Sequence, residues 1–277
     1  MFIILCSFRI LRQPILTAGT VLPTFLLIGI SFVPIGVGLL LSSHQVQELV
    51  IDYTRCSNAN NESCASVVAK GNSSCLCEIN FKLSRNYVRD VFIYYGLTNF
   101  YQNHRRYVKS RDDKQLLGSK GPPSTDCDPF TFGDKQKPIA PCGAIANSLF
   151  NDTIKLMKLD DGDKYRAVKV LETGIAWATD KNVKFRNPSG NLTEAFEGFT
   201  KPPNWQKNVW ELDPKDPNNN GYLNEHLIVW MRTAALPTFR KLYGRIDHSS
   251  EASIKEGLPI GSYRLVIEYS ELEFISF

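Results

Sequence analysis

The chain has 277 residues, of which 22% are charged and 43% hydrophobic, and its formal net charge is +4. This charge is small for the length, so composition gives no case for a nucleic-acid partner. The roughly 230 residues that follow Ser43 are enough to bury a core, either as one large domain or as two intimate ones.

The first element in chain order is an apolar run from Pro14 to His44 that no Lys, Arg, Asp or Glu interrupts. About 20 apolar residues span a bilayer core as a helix, whereas the apolar core of a cleaved signal peptide has only about 7–15. The run therefore predicts a retained transmembrane helix over residues 14–41. Pro23 and Pro34 fall inside it, and a membrane helix tolerates them because neighbouring groups satisfy the freed backbone.

Charged residues on the two sides of this run orient the predicted helix. Arg9 and Arg12 lie just before it, and acidic residues follow it. By the positive-inside tendency, residues 1–13 are a cytosolic segment and residues 44–277 form a lumenal or extracellular ectodomain. No later apolar run approaches 18 residues, so the chain as written is expected to cross the membrane once.

Seven cysteines divide unevenly between the two sides of the membrane. Cys6 falls on the cytosolic side, where we expect an idle thiol. Six lie in the predicted ectodomain: Cys56, Cys64, Cys75, Cys77, Cys127 and Cys142. An even number in an oxidising compartment predicts a disulfide framework, for which sequence alone allows fifteen connectivities. The simplest arrangement nests Cys64–Cys75 inside Cys56–Cys77 and adds a local Cys127–Cys142 bridge.

Two further expectations concern the first four of these ectodomain cysteines. Cys75 and Cys77 are one residue apart in chain that should be extended, and we expect them to point to opposite faces and to seek different partners. A zinc site is the competing interpretation, since four cysteines lie close together. The spacing lacks paired C-x-x-C knuckles and an oxidising lumen disfavours thiolates, so we predict no metal.

Four N-x-S/T sequons occur, at Asn61, Asn72, Asn151 and Asn191. All four fall on the side that the flanking charges place in the lumen. Topology, cysteines and glycan acceptors therefore agree independently, and we predict N-glycosylation at these asparagines.

Residue patterns along the ectodomain favour strands joined by long loops. Alternating β-branched and aromatic residues predict strands, near 78–83, 88–95, 174–179, 182–186, 227–234 and 262–270. Apolar residues from Leu97 to Val108 recur at three and four positions and predict a helix with a solvated basic face. Residues 118–141 and 202–221 are predicted loops. The expected fold is mainly β with some α: an antiparallel sandwich with disulfide-bonded loops.

The stretch "DPNNNGYLNEHL" has the first positions of a calcium loop, at Asp216, Asn218 and Asn220. Its twelfth position is Leu227 rather than a bidentate Glu, so an Asx-rich hairpin turn ending in Asn-Gly is the favoured interpretation. Among the histidines, none lies in an H-E-x-x-H or nucleophile-elbow motif, and the glycine patterns that cradle phosphates are absent. A carboxylate pair assembled in space stays open, but the sequence predicts no catalytic residue and no cofactor.

Several long phrases of the chain then resemble one family. They are "QPILTAGTVLP" (13–23), "IDYT" (51–54), "YYGLTNFYQNHRRYVKSRDD" (94–113), "KPIAPCGAIANSLFNDT" (137–153), "DKNVKFRNP" (180–188) and "IVWMRTAALPTFRKLY" (228–243). In these phrases the chain is similar to the cell-division-cycle protein 50 family, also called transmembrane protein 30. The resemblance runs from about Gln13 to Tyr269.

This resemblance implies a function as well as a fold. Members are non-catalytic β-subunits of type IV P-type ATPases, the phospholipid flippases, and have a glycosylated, disulfide-bonded antiparallel β-sandwich outside the membrane. Carried to this chain, the family's bridges are Cys56–Cys77, Cys64–Cys75 and Cys127–Cys142, and Asn151 falls on its NDT glycan site. The implied partners are the ATPase catalytic subunit and membrane lipids, and the implied locations are endoplasmic reticulum, Golgi or secretory vesicles, and plasma membrane.

The chain departs from the family pattern in three places. Residues 1–12 replace a polar cytosolic tail, and Ala178 stands where the common phrase is "GIAWWTD". After Tyr269 the family continues into a second transmembrane helix, whereas this chain ends in "SELEFISF". The leading expectation is an accessory subunit that supports ATPase folding, export and transport. The alternatives are a truncated, assembly-impaired or competing isoform, or a ligand-binding membrane-anchored glycoprotein that acts without the ATPase.

Overall fold

The structure is a computed structural model that describes residues 17–70, 74–160 and 162–270. These residues fall into two units, one ending at Ile51 and the other beginning at Asp52. We call residues 52–270 the β domain. Predictions made for residues 1–13, for Cys6 and for the sequon at Asn72 lie outside the described residues.

The first unit contains one long apolar helix, α1 (Ala18–Gln45), of 28 residues. At about 1.5 Å per residue it is about 42 Å long, which exceeds the roughly 30 Å hydrocarbon core of a bilayer. Within the described part of the chain it is the one helix whose length and composition suit a membrane span. The predicted helix is thus confirmed over residues 18–41 and continues to Gln45, with Pro23 and Pro34 inside it.

The β domain combines strands with short helices. Its strands are β1 (Cys75–Leu83), β2 (Tyr87–Val88), β3 (Phe92–Leu97), β4 (Thr153–Leu159), β5 (Tyr165–Val168), β6 (Val170–Leu171), β7 (Phe239–Ile246), β8 (Gly257–Leu258) and β9 (Gly261–Tyr269). Its helices are α2 (Cys64–Ala69), α3 (Arg105–Lys109), α4 (Asp113–Leu116), α5 (Ala144–Asn147), α6 (Ala178–Lys184), α7 (Leu192–Ala195) and α8 (Glu225–Met231).

Two antiparallel sheets form the frame of the β domain. One has the strand order β1-β9-β4-β5 and the other β3-β7-β6, with β2 and β8 forming a short ribbon. Strands β1 and β9 pair along their full length, from Cys75 opposite Tyr269 to Leu83 opposite Gly261. Buried side chains of both sheets meet in one core: Leu83, Leu156, Val168, Ile246 and Tyr263. The predicted antiparallel sandwich with long disulfide-bonded loops is confirmed.

A second core lies beneath the loops and short helices. Trp230 of α8 is fully buried, and its indole Nε1 donates a 2.7 Å hydrogen bond to the carbonyl of Ile145 in α5. The Tyr95 ring of β3 stacks on Phe150 with ring centroids 3.9 Å apart. These contacts join the second sheet to the loop segments, so the loops of this domain are packed structure.

Some predicted strands are confirmed and others are wrong. The strands near 78–83 and 262–270 are β1 and β9, and the one near 88–95 is divided into β2 and β3. The strand predicted over 182–186 lies mostly in α6, and the one over 227–234 is mostly α8. Of the strand predicted over 174–179, the first four residues form an irregular bend and the last two begin α6.

Local capping explains why one of these apolar stretches is helical. The Asn224 side chain accepts a hydrogen bond from the backbone N–H of Leu227, which is the N-cap geometry of α8. A short, continuously apolar run cannot be assigned to a helix or a strand by periodicity alone. The Asn-Glu pair just before the run was the available signal for a helix start.

The helix predicted from Leu97 to Val108 is also largely wrong. Only the five-residue helix α3 overlaps the end of that range, and Tyr107 is its buried residue. The backbone N–H of Phe100 instead bonds to the carbonyl of Pro237, and Asn99 has a left-handed φ of 59°. The apolar spacing therefore reflects turns packed on the second core. The loops predicted over 118–141 and 202–221 are irregular chain with short 3-10 turns, as expected.

Candidate functional site

Three disulfides hold the loops of the β domain. The bridges are Cys56–Cys77, Cys64–Cys75 and Cys127–Cys142, with Cα–Cα distances of 6.0, 5.4 and 5.6 Å. These are the pairs that the family resemblance implies, and the distances lie within the usual disulfide range. The nested pair fastens the segment after Asp52 and helix α2 to strand β1, and the third bridge closes the loop before α5.

One expectation about these cysteines is wrong. Cys75 and Cys77 lie on the same face of β1, since both are buried while Leu76 between them is exposed. Alternate residues of a strand share a face, so a separation of two positions cannot place them on opposite sides. They nevertheless have different partners, because Cys64 and Cys56 approach the same face of the strand.

The sequon asparagines within the described residues occupy different settings. Asn61 is exposed in a turn, and Asn191 is exposed at the N-cap of α7. Asn151 is half-buried, two residues before β4 begins. Glycosylation at these positions stays a prediction, and the exposed side chains of Asn61 and Asn191 are compatible with it.

The acidic and amide side chains of "DPNNNGYLNEHL" form hydrogen bonds with the backbone of their own loop. The Asp216 carboxylate accepts from the backbone N–H of Asn218, and Asn220 Oδ1 accepts from the backbone N–H of Asp213. The favoured Asx turns are present, but they lead into α8 rather than closing a hairpin, so that part of the interpretation is wrong. Across the described residues, no three His, Cys, Asp or Glu side chains are grouped to hold a metal ion.

The candidate site is an open cleft of about 370 Å³ that we call the Trp177 cleft. Helices α6 and α8 and strands β3 and β7 supply its walls. Its apolar lining includes Ile175, Ile228 and Leu242, and its polar lining includes Asp180 and Arg232. A concave lining of apolar side chains with a few polar groups is typical of binding sites.

One exposed aromatic ring and one guanidinium define the rim of the Trp177 cleft. The Trp177 side chain is 66% exposed, and the Arg232 guanidinium lies 4.4 Å from the centre of its ring. Arg232 also pairs with the buried Asp180 carboxylate at 3.4 Å, and Lys184 pairs with that carboxylate at 2.7 Å. Cation–π stacking and a buried counter-charge hold the ring and the guanidinium in place.

The buried carboxylate of Glu225 fastens the chain that leads to Trp177. It accepts hydrogen bonds from the backbone N–H groups of Ile175 and Ala176 at 2.7 and 2.9 Å, and from Lys181 Nζ at 2.8 Å. Burial acts to raise the pKa of Glu225, but these donors outweigh it and hold the pKa below its ordinary value. The loop before α6 is therefore tied to the start of α8.

A buried lysine caps the C-terminus of α8. Lys241 Nζ donates to the carbonyls of Val229, Trp230 and Arg232 at 3.0, 2.7 and 2.7 Å. A cation at a helix C-terminus satisfies carbonyls that lack helical partners. Burial lowers the pKa of Lys241 to about 7, and the three carbonyl oxygens oppose that effect by favouring the charged form. The backbone that carries Arg232 is thereby fixed.

A second polar cluster joins the two ends of the β domain. Asp152 accepts a 2.9 Å hydrogen bond from the Tyr53 hydroxyl and a 2.7 Å bond from the backbone N–H of Ser270. The rings of Tyr53 and Tyr269 meet edge to face. Burial raises the pKa of Asp152 to about 6, and the two hydrogen bonds partly oppose that shift. We call these four residues the terminal junction.

Sequence reasoning missed the cleft and the junction for different reasons. The alternating pattern around Trp177 predicts a strand, although Asp180 is the acidic residue typical of the first turn of a helix. In the sequence, Asp152 is the middle residue of the sequon at Asn151, and the motif indicates no further role for it. Its partners are 99 and 118 positions away, and no local pattern reveals such a contact.

Comparison with known proteins gives consistent matches over most of the chain. The model of the LEM3 (ligand-effect modulator 3) family / CDC50 family matches residues 39–274. The chain is 52% identical to cell cycle control protein 50A of Mus musculus over 265 residues, which covers 93% of this chain and 71% of the relative. It is 46% identical to cell cycle control protein 50B of Homo sapiens over 268 residues, covering 93% and 75%.

A plant protein extends these matches beyond animals. The chain is 42% identical to ALA-interacting subunit 3 of Arabidopsis thaliana over 245 residues, covering 86% of this chain and 64% of the relative. The region matched by the family model includes the last turns of α1 and all of the β domain.

Proposed function

Because this chain belongs to the LEM3/CDC50 family, we propose that it is the non-catalytic accessory subunit of a type IV P-type ATPase that moves phospholipids across a membrane. The observation that carries the proposal is the family match over residues 39–274, which covers the last turns of the apolar helix and the whole β domain. The name of the plant relative, an interacting subunit, supports an accessory role.

The proposed topology follows from the charges, cysteines and sequons. Residues 1–13 lie in the cytosol, residues 14–41 cross the membrane, and residues 44–277 lie in the lumen or outside the cell. Three disulfides in the β domain support this orientation, because such bridges persist in oxidising compartments. The subunit is proposed to fold with the ATPase in the endoplasmic reticulum and to travel with it to Golgi, secretory vesicles or plasma membrane.

The geometry of the β domain suits a subunit that binds rather than reacts. Its loops are tied by disulfides and by buried ion pairs, which limit their conformational freedom. Rigid surfaces lose less conformational entropy on association than mobile ones. Chemistry is assigned to the partner, whose aspartate is phosphorylated, and this chain is proposed to assist its folding, export and transport cycle.

Co-expression of the tagged full chain with a type IV P-type ATPase tests the proposal. We expect the ATPase to co-purify in mild detergent and to leave the endoplasmic reticulum only when the chain is present. The matched control is a P-type ATPase that transports cations, expressed with the same tag. Failure to retain the lipid-type ATPase above that control would contradict the proposal and favour a membrane-anchored glycoprotein with another ligand.

A further inference from the structure

Helix α3 carries a group of cations that the fold leaves exposed. Arg105, Arg106 and Lys109 all lie in this five-residue helix, and the side chain of each is exposed. In the part of the chain that the structure describes, none of the three makes an ion pair or a side-chain hydrogen bond. At about 100° per residue, they fall within an arc of about 100° on the helix and share one face. We call these three residues the α3 basic patch.

Neighbouring segments do not neutralise the charge of the α3 basic patch. Residues 91–111 contain no Asp or Glu. Helix α5, which packs against α3, and residues 233–238, which are hydrogen-bonded to the turn before it, also lack acidic residues. The next carboxylates along the chain are occupied, since Asp113 pairs with Arg111 and the buried Asp112 accepts from three backbone N–H groups. The patch therefore carries a local positive excess in a chain whose formal net charge is +4.

The stability of α3 does not account for these cations. Arg105 and Arg106 occupy its first turn, where no acidic residue is present. The N-terminus of a helix carries a partial positive charge, so cations are unfavourable there. Arg105 and Lys109 also form an i,i+4 pair of like charge, which is unfavourable as well. Residues that oppose local stability are expected where a surface serves a function.

Buried contacts fix the backbone that presents the patch. The hydroxyl of Tyr107, on the inner face of α3, lies 2.8 Å from the Ser148 hydroxyl and accepts a 3.2 Å hydrogen bond from Gln102. The Tyr107 ring packs edge to face on Phe100. The cations are thus presented from an ordered part of the domain, which reduces the conformational entropy lost when a ligand binds.

The setting of the patch distinguishes between classes of polyanion. Short basic runs are typical of nucleic-acid and heparin-type surfaces. The topology proposed above places the β domain in the lumen or outside the cell, where nucleic acid is not a partner. Anionic lipids are concentrated in the opposite, cytosolic leaflet. A protein partner is usually held by an apolar anchor in a desolvated pocket, and none of the three cations lines the Trp177 cleft. Sulfated polysaccharides, which are abundant outside cells, need only exposed and suitably spaced cations.

An aromatic ring beside the patch suits a sugar. Tyr101 is 57% exposed and lies in the turn that leads into α3, where its carbonyl accepts from the backbone N–H of His104. The face of an exposed phenol ring can pack against the apolar face of a pyranose. Arginine guanidinium groups match the oxygens of tetrahedral anions with paired N–H donors.

We propose that the α3 basic patch binds a sulfated glycosaminoglycan. Its sulfate groups contact Arg105, Arg106 and Lys109, and one of its sugar rings packs on Tyr101. The proposal rests on the lumenal or extracellular placement proposed above and is independent of the ATPase. The expected consequence is retention of the chain at surfaces that bear proteoglycans.

Binding of defined oligosaccharides to the purified full chain in detergent tests this recognition. The probe is a fluorescein-labelled heparin oligosaccharide, and the matched control is an oligosaccharide of the same length that has its carboxylates but no sulfate groups. We expect the sulfated probe to bind selectively, with an affinity that falls as salt is raised. Equal affinity for the two oligosaccharides would overturn the proposal.

Two variants separate binding from helix stability. Arg105→Glu places an acid in the first turn and opposite Lys109, so α3 is expected to be at least as stable as in the wild type. Binding of the sulfated probe is expected to weaken by about tenfold. Lys109→Gln removes a favourable cation from the last turn and is expected to weaken binding by about threefold. Both variants are expected to reduce the salt dependence of binding, because fewer counterions are released.

The two substitutions act on helix stability in opposite directions, so a loss of binding in both identifies a contact with the ligand. The matched control is Lys207→Glu, which reverses an exposed charge outside the patch and is expected to bind as the wild type does. Thermal unfolding of each variant verifies that it folds. Wild-type affinity in Arg105→Glu, or an equal loss in Lys207→Glu, would contradict the proposal.

Competition decides between sulfated sugars and other anions. Neither a polyglutamate peptide nor glycerophosphoserine is expected to displace the sulfated probe at equal concentration of charge. Displacement by the peptide would overturn the proposal and assign the patch to an acidic protein, and displacement by glycerophosphoserine would assign it to a lipid headgroup. No ATPase is present in these measurements, so their outcome and that of the co-purification experiment above are decided separately.

Discussion

The Tyr53 hydroxyl donates a 2.9 Å hydrogen bond to Asp152, a carboxylate 99 positions further along the chain. The same carboxylate accepts from the backbone N–H of Ser270, the last described residue. One buried side chain thus joins the start of the β domain, the beginning of β4 and the end of β9. The first and last segments of the β domain are therefore held together by the titratable carboxylate of Asp152.

This junction predicts a pH dependence of stability. Burial raises the pKa of Asp152 from 3.8 to about 6 in the folded protein, so the folded state binds the proton more tightly than the unfolded state. Protonated Asp152 therefore stabilises the folded state fully below pH 3.8, and this stabilisation is lost as the pH rises through about 6. A shift of this size corresponds to about 3 kcal/mol in the free energy of unfolding.

Asp152→Asn isolates this contribution and preserves the Asn151 sequon. We expect the stability of the wild type relative to this variant to fall between pH 4 and pH 7, measured by denaturant unfolding at each pH. Tyr53→Phe removes a hydrogen bond that lowers the pKa, so it is expected to move the same transition to higher pH. A wild-type curve parallel to that of the Asn variant would refute the assignment.

Two glycines predict different costs for the same substitution. Gly143 and Gly190 both have left-handed φ angles, of 100° and 94°. A Cβ on Gly143 would overlap the backbone of Ser110, whereas one on Gly190 meets no atom within 4 Å. We expect Gly190→Ala to destabilise by about 1 kcal/mol and Gly143→Ala by considerably more. Equal shifts in the unfolding midpoint would show that backbone strain alone governs both sites.

Two tryptophans of the β domain predict opposite responses to truncation. Trp230 is fully buried and hydrogen-bonded to Ile145, so Trp230→Ala is expected to destabilise by about 3–5 kcal/mol. Trp177→Ala is expected to change stability by less than about 0.5 kcal/mol, because its ring is mostly exposed. Thermal unfolding of both variants measures the difference. A large loss of stability in Trp177→Ala would mean that this ring serves the fold rather than recognition.

The nested disulfides predict a measurable loss of stability on removal. The double substitution Cys64→Ala with Cys75→Ala opens a loop with a sequence separation of 11 and is expected to destabilise by about 2–4 kcal/mol. Cys6→Ala, which removes the remaining cysteine, serves as the control and is expected to leave stability unchanged. Non-reducing peptide mapping measures the pairing directly. Free thiols at Cys75 and Cys77 would contradict the bridges described above.

Local patterns in the sequence predicted part of the fold and left other parts ambiguous. β1 and β9 were identifiable because alternating side chains meet a core on one face. The apolar run that forms α8 could not be identified as a helix, because a short buried segment lacks the periodicity that distinguishes a helix from a strand. Its N-cap Asn224 and the buried Lys241 at its C-terminus stabilise it, and Lys241 lies outside the apolar run, 9 positions after Arg232.

The candidate site was less accessible to sequence reasoning than the disulfides. Six cysteines in an oxidising compartment predict disulfides by their residue type alone, and the family resemblance implies their pairing. Trp177, Asp180 and Arg232 become one site only when α6 and α8 pack together, since more than 50 positions separate Trp177 from Arg232. Exposure of a single tryptophan depends on that packing, so sequence alone could not distinguish it from a core residue.

The central claim, that this chain is an accessory subunit of a lipid-moving P-type ATPase, is tested most directly by lipid uptake. The measurement is inward movement of a fluorescent phosphatidylserine analogue across the plasma membrane of cells that lack their own members of this family. We predict that the full chain restores uptake together with the catalytically active ATPase, and that an ATPase without its phosphorylated aspartate gives none. Uptake that stays at the level of untransfected cells, with both proteins folded in the membrane, would contradict the account.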